Sequence, residues 1–154
     1  MNGGNCQNCA RSPWVRRANQ FITSSSTNPH HGARVATVEF LLQNGYCGIN
    51  NRIGINDITR HLATRGFFYD RSPFQNNILT ELKRLRIVVT LVYPGGQGGV
   101  FIPSRQAEIR QVARQLVSRV VQELTNIEGT TSNTPVHRHI TQLIQAAQLT
   151  MQRI

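Results

Sequence analysis

The sequence predicts an α+β fold, mostly α, on three observations. Apolar residues recur at helical spacing in three successive short segments between Ala33 and Arg86. Two β-branched and aromatic stretches follow, Ile87 to Tyr93 and Val100 to Ile102, joined by Pro94-Gly95-Gly96-Gln97-Gly98-Gly99. Two longer segments with apolar stripes close the chain, separated by the polar linker Thr130 to Asn133. With 154 residues and 39% apolar content, the chain has room for one domain with a real core plus extensions.

Taken in order, Met1 to Gly32 has the composition of an unfolded basic arm: Asn, Gln, Ser and Gly dominate, and Trp14, Val15, Phe21 and Ile22 are the clear apolar anchors. Ala33 to Gln43 places Val35, Val38, Leu41 and Leu42 on one helical face, with Asn44-Gly45 as a stop signal. Gly45 to Gly54 is too short and glycine-rich for a helix, and the alternation of Cys47, Ile49 and Ile53 predicts a short strand. The next helix is expected to be capped by Asn56, with Asp57 in the first turn where the helix dipole favours a carboxylate. Its inward stripe is Ile58, Leu62 and Ala63, and Gly66 ends it.

Ser72-Pro73-Phe74-Gln75 predicts a helix start, with Ser as the cap, Pro at the first helical position and Gln at the third. Phe74, Ile78, Leu82 and Leu85 then share one face. The opposite face carries Asn76, Thr80 and Lys83, with Gln75, Asn77 and Arg84 at its margins; Glu81 falls toward the margin of the buried face. The glycines between the two apolar strands can adopt the positive φ angles that a hairpin requires. Ser104 is read as the cap of a helix of some two dozen residues ended by Gly129. Thr134-Pro135 starts a last helix whose apolar face includes Ile140, Leu143 and Ile144.

The chain carries 17 basic and 7 acidic residues, with a formal charge of +10 and a pI near 11.2. Such a balance points to a polyanionic partner, most simply nucleic acid. Lys83 is the only lysine, and arginine forks onto phosphate and guanine edges more specifically than lysine does. The excess is spread along the chain: +3 over residues 1–32, +4 over 33–103, +1 over 104–128 and +2 over 129–154. No basic tail explains it. No run approaches the roughly 20 apolar residues of a membrane span, so a cytoplasmic, nucleoid-associated protein with no membrane partner is expected.

Cys6-x-x-Cys9 with His30-His31 has the ligand types of a zinc site, but adjacent histidines and a long serine-rich spacer match the usual spacing poorly. No bound metal or cofactor is expected. Cys47 reads as a small core residue. The seven acids are scattered singly, and there is neither an H-E-x-x-H motif nor a nucleophile elbow, so the protein is not expected to be an enzyme. A phosphate-cradling reading of Gly95 to Gly99 fails because no Gly-Lys-Ser/Thr and no helix follow.

In the order of its elements, Ile55 to Pro103 resembles the winged helix-turn-helix superfamily. The flanking helices look like the dimerising extensions of small regulators such as the PadR-like and MarR-like families. The resemblance implies a winged-helix domain over residues 33–103 with a two-stranded wing, between the arm at 1–32 and a C-terminal helical extension at 104–154. It implies that the helix from Pro73 to Arg86 lies in the major groove of double-stranded DNA. Asn76 and Asn77 would then address adenine edges, Lys83 and Arg84 guanine or phosphate, and Thr80 a thymine methyl or phosphate, with Gln75 beside them. At the wing tip only Gln97 and main-chain N–H groups are on offer, where such wings commonly carry Arg or Lys. A homodimer is expected through Ile109, Val112, Leu116, Val120, Leu124, Ile140, Leu143 and Ile144, because the long helix has a stripe wider than one neighbour covers. The functional expectation is a transcriptional regulator or a replication or architectural factor; the alternative is a winged-helix adaptor for protein or RNA.

Overall fold

The computed structural model describes residues 12–91 and 98–153. Its helices are α1 (Pro13–Phe21), α2 (His31–Gln43), α3 (Ile55–Thr64), α4 (Arg71–Phe74), α5 (Thr80–Arg84), α6 (Gln106–Thr130) and α7 (Thr134–Arg153). A π-helical turn, Gln75–Leu79, makes α4 and α5 one continuous rod. Strands β1 (Val89–Leu91) and β2 (Gly99–Phe101) form an antiparallel pair in the register Val89 to Phe101, Thr90 to Val100 and Leu91 to Gly99. The chain divides into two compact units, Met1–Glu108 and Ile109–Ile154. The α+β, mostly helical class is therefore as expected.

The first unit departs from expectation at its start. Residues 12–21 belong to no unfolded arm: Ser12 caps α1, its hydroxyl oxygen accepting from the Trp14 and Val15 N–H groups at 3.2 and 3.4 Å, and Pro13 occupies the first turn. The same hydroxyl donates to the Pro103 carbonyl at 2.7 Å, so α1 is anchored to the chain just beyond β2. Val15 and Ala18 are buried where α1 meets α2. From α2 the core takes Ala33, Ala36, Thr37, Val38, Leu41 and Leu42, whereas Val35 is only half-buried. The Thr37 hydroxyl is satisfied inside that core by the Ala33 carbonyl, at 2.8 Å.

The strand predicted between Cys47 and Ile53 is replaced by two isolated bridges onto β2 and its extension, with a 3₁₀ turn, Ile49–Asn51, between them. Ile53 and Val100 exchange both backbone hydrogen bonds, at 3.0 and 2.8 Å. Gly48 N–H donates to Ile102 O and Ile102 N–H to Tyr46 O, at 2.8 and 3.0 Å. The segment thus runs along the sheet edge, turns, and returns in the opposite sense. Gly99 permits this approach, since a Cβ there would lie 2.9 Å from both the Ile53 carbonyl oxygen and Arg52 Cβ.

Four predicted helix starts shift by a residue or two: α2 begins at His31 rather than Ala33, and α6 begins at Gln106, one residue later than a Ser104 cap would start it. Gly54 rather than Asn56 caps α3, and Asp70 rather than Ser72 precedes α4, which places Pro73 at the third helical position. Proline is tolerated there because first-turn N–H groups have no intrahelical acceptor. In the second unit, α6 runs through Gly129 to Thr130 before the turn into α7. The two helices are antiparallel: the Thr141 hydroxyl bonds the Glu128 carboxylate, and the Ser118 hydroxyl lies 3.7 Å from the Met151 sulfur. No described helix is long and apolar enough to cross a membrane.

Candidate nucleic-acid interface

The rod formed by α4, the π turn and α5 follows α3 after a short turn and presents two different faces. Phe74, Ile78, Leu79 and Leu82 are buried in the core, and Leu85 is half-buried. Outward stand Asn76, Thr80, Lys83 and Arg84, all exposed, with Gln75 and Asn77 half-buried at the margin. The expected donor face therefore exists, and the π turn modifies it. Within the π turn, Ile78 and Leu79 are both buried, beside Leu82 in α5. The Gln75 carbonyl accepts from both the Thr80 N–H and the Thr80 hydroxyl, the latter at 2.8 Å. Within the same turn, Arg34 Nε on α2 donates to the Asn77 carbonyl at 2.9 Å.

These contacts change what each side chain can offer. Among the described residues, Asn76 and Lys83 make no side-chain hydrogen bond, which leaves their donors for a ligand. Thr80 has committed its hydroxyl proton to Gln75 and can present its methyl group and an oxygen lone pair. Arg84 is held by Glu81, through Nε at 3.0 Å and a second, shorter bond from Nη2. The hydrogen bond and charge of Arg84 hold the Glu81 carboxyl below its ordinary value, and Glu81 in turn raises that of Arg84. Arg84 and Glu81 therefore form a neutral pair, and among the described residues Lys83 is the free cation of the last turn. Gln97 lies outside the described residues.

Two arginines that the single-helix reading did not consider lie beside this face. Arg60 on α3 and Arg71 on α4 flank a cleft of about 520 Å³ between the start of α3, the rod and the hairpin, which Gln75 and Thr90 also line. Arg60 bonds Asp57 at 2.9 Å and Arg71 bonds Asn56 at 3.1 Å, both exposed contacts. Only tertiary packing brings α3, α4 and β1 to one opening, so no linear spacing announced it.

The beginning of α6 is fixed to this unit by a buried acid. Glu108 accepts from Ile49 N–H at 2.8 Å, from Ser104 N–H and hydroxyl at 2.7 and 2.8 Å, and from Arg105 N–H at 3.2 Å. Burial by itself pushes its carboxyl upward, but these donors outweigh burial and hold it below the ordinary glutamate range. Sequence reasoning identified Ser104 as a helix-start residue and missed its partner.

The remaining candidates sort out simply. His30 Nδ1 lies 2.7 Å from the Tyr69 hydroxyl and His31 Nε2 lies 3.1 Å from the Ser24 carbonyl. Among the described residues no group of three or more His, Cys, Asp and Glu side chains converges as metal ligands, and Cys6 and Cys9 lie outside them. Cys47 is buried, as expected, but it is disulfide-bonded rather than a plain core thiol. Of the residues expected at a dimer contact, Val112, Ile140 and Ile144 are already buried within one chain. Ile109 and Leu124 are half-buried. Leu116, Val120 and Leu143 remain 46%, 48% and 42% exposed, joined by Ile127, Val136 and Leu149.

The chain is 43% identical over 128 residues to a protein of Methanocaldococcus jannaschii named "Putative control protein C.MjaVP", a match covering 81% of this chain and 78% of that one. No family model matches the chain, and no solved structure matches it.

Proposed function

The chain belongs to the family of the control protein C.MjaVP, and from this premise we propose that it is a double-stranded DNA-binding transcriptional regulator. The observation that carries the reading is the exposed face of the rod. Asn76 and Lys83 are uncommitted donors, and Glu81, the only acid on the rod, is neutralised by Arg84. Such a face fits the acceptor-rich edges of a major groove and the phosphates beside it. It does not fit an acidic or metal-dependent catalytic centre, and a non-enzymatic role follows in this proposal.

The winged helix-turn-helix arrangement is part of the proposal. It is supported by the succession of α2, α3 and the rod, by the β1–β2 pair after it, and by the Ile53 bridge in the place of a short first strand. On this reading the rod enters the groove, and the cleft with Arg60 and Arg71 lies over a backbone strand. The likeness to PadR-like and MarR-like regulators rests on the same order, with α6 and α7 as the pairing element. The second copy would bury Leu116, Val120 and Leu143, the apolar positions that one chain leaves open.

Binding of labelled duplex DNA across a salt series tests the reading. Contact with several phosphates predicts a steep linear fall of log affinity with log salt, by roughly 0.9 per phosphate neutralised. Absence of duplex binding at low salt would remove it.

A further inference from the structure

Three helices of the first unit end in the same capping motif, and they differ at one residue. After α2, Tyr46 N–H bonds Leu41 O at 2.9 Å; after α3, Phe67 N–H bonds Leu62 O at 3.0 Å. In both, a glycine takes the left-handed position, Gly45 at φ +73° and Gly66 at φ +87°. After α5, Ile87 N–H bonds Leu82 O and Arg86 N–H bonds Lys83 O, both at 3.0 Å, but the left-handed residue is Arg86, at φ +58°. An L side chain is disfavoured in that conformation because its Cβ crowds the backbone carbonyl, and glycine is not. A strained arginine where the two neighbouring motifs have glycine points to a use for the side chain.

The surroundings indicate what use. Arg86 is exposed, and its carbonyl accepts from Arg17 Nε at 2.8 Å. Arg17 Cζ lies 5.0 Å from the centroid of the Trp14 ring, a cation–π contact that fixes the guanidinium beside Arg86. Burial, and then the positive charges of Arg86 and Arg16, push the Arg17 guanidinium below its ordinary value. Among the described residues, Arg60, Arg65, Arg84 and Arg119 each have a carboxylate within 4.0 Å, whereas Arg16, Arg17 and Arg86 form no such pair. Arg86 and Arg17 are thus joined at the C-terminal end of the rod, with Arg16 next in the chain, and none of the three has a carboxylate partner among the described residues. The helix dipole favours cations at that end but does not neutralise them.

We propose that Arg86, with Arg17 and Arg16 beside it, binds a backbone phosphate of duplex DNA next to the groove that receives the rod. The site rests on the DNA-binding reading above and adds a sequence-independent anchor to it. A guanidinium pair is suited to the ligand, since its planar fork matches two phosphate oxygens and keeps its charge at any physiological pH.

Arg86→Gly separates fold from function, because glycine accepts the backbone conformation that arginine is forced into. In the full-length protein the variant is expected to keep or raise its melting temperature. Its affinity for duplex DNA should fall on the order of 3- to 10-fold, with the salt slope reduced by about one and the ratio of specific to random-duplex affinity unchanged. Arg86→Lys, which retains the charge, should keep the slope. Unchanged affinity and slope in Arg86→Gly, or a lower melting temperature, would overturn the proposal. A rise in wild-type melting temperature with inorganic phosphate that Arg86→Gly abolishes, together with unchanged duplex affinity in that variant, would assign the site to a free anion and overturn the duplex assignment. If the wild type bound no duplex at low salt, the DNA-binding reading itself would fail, and this site with it.

Discussion

Glu108 shows how one residue can join distant parts of the chain. Its carboxylate serves three backbone N–H groups and one hydroxyl, closing the start of α6 and the 3₁₀ turn that begins 59 positions earlier at Ile49. Replacing it with Ala leaves the buried Ile49 donor and the part-buried donors of Ser104 and Arg105 unmatched, and is expected to destabilise the protein by about 1 to 3 kcal/mol in chemical denaturation. The pH dependence follows from the lowered carboxyl value. The stabilisation is fully present above the unfolded glutamate pKa, roughly 4.3, and is lost as pH falls through the lower folded value. Wild type should therefore lose more stability than Glu108→Gln on acidification below about pH 4, as thermal melts at a series of pH values will show. Of this arrangement only the nearness of Ser104 to a helix start was legible, and α6 itself begins at Gln106. The donor at Ile49 was not, because the contact spans the fold and leaves no periodic trace.

The rod is the element on which the functional reading turns. Steps of four, four and three put Phe74, Ile78, Leu82 and Leu85 on one face, and that pattern identified its exposed side correctly. It could not reveal the π turn, or that Arg34 reaches across from α2 to the Asn77 carbonyl within it. It could not reveal that Arg84 is engaged by Glu81 either. The α1 helix was a different case, since Ser12-Pro13 carries the start signal that was recognised at Ser72-Pro73, followed by Val15, Ala18 and Ile22 at helical spacing. Its polar flanks outweighed that signal. For the rod, the double variant Asn76→Ala and Lys83→Ala leaves Thr80 to seal the π turn and should fold normally. Loss of a good base contact costs roughly 1 to 3 kcal/mol, so specific DNA binding should weaken at least tenfold while binding to unrelated duplexes changes less. Equal affinity for the preferred and unrelated duplexes in both wild type and variant would take this face out of sequence reading.

At the scale of the molecule, the large apolar side chains left exposed among the described residues lie on α6 and α7, apart from Phe68 in the turn between α3 and α4. Leu116, Val120 and Leu143 are each close to half exposed, more than scattered surface hydrophobics would require. If a second copy covers them, Leu116→Glu with Val120→Lys should shift the sedimentation of the protein from dimer to monomer while the first unit keeps its melting transition. A wild-type protein that sediments as a monomer at high micromolar concentration would exclude the dimer. Dimerisation also bears on the DNA, because a two-fold protein reads two related half-sites spaced by a helical turn or its multiples. The most direct test of the account is selection of binding sites by the full-length wild-type protein from a pool of random duplexes, followed by sequencing of the bound fraction. The account predicts enrichment of one motif made of two inverted half-sites, with enrichment abolished by Asn76→Ala and Lys83→Ala together. A bound fraction indistinguishable from the starting pool after repeated rounds would contradict it.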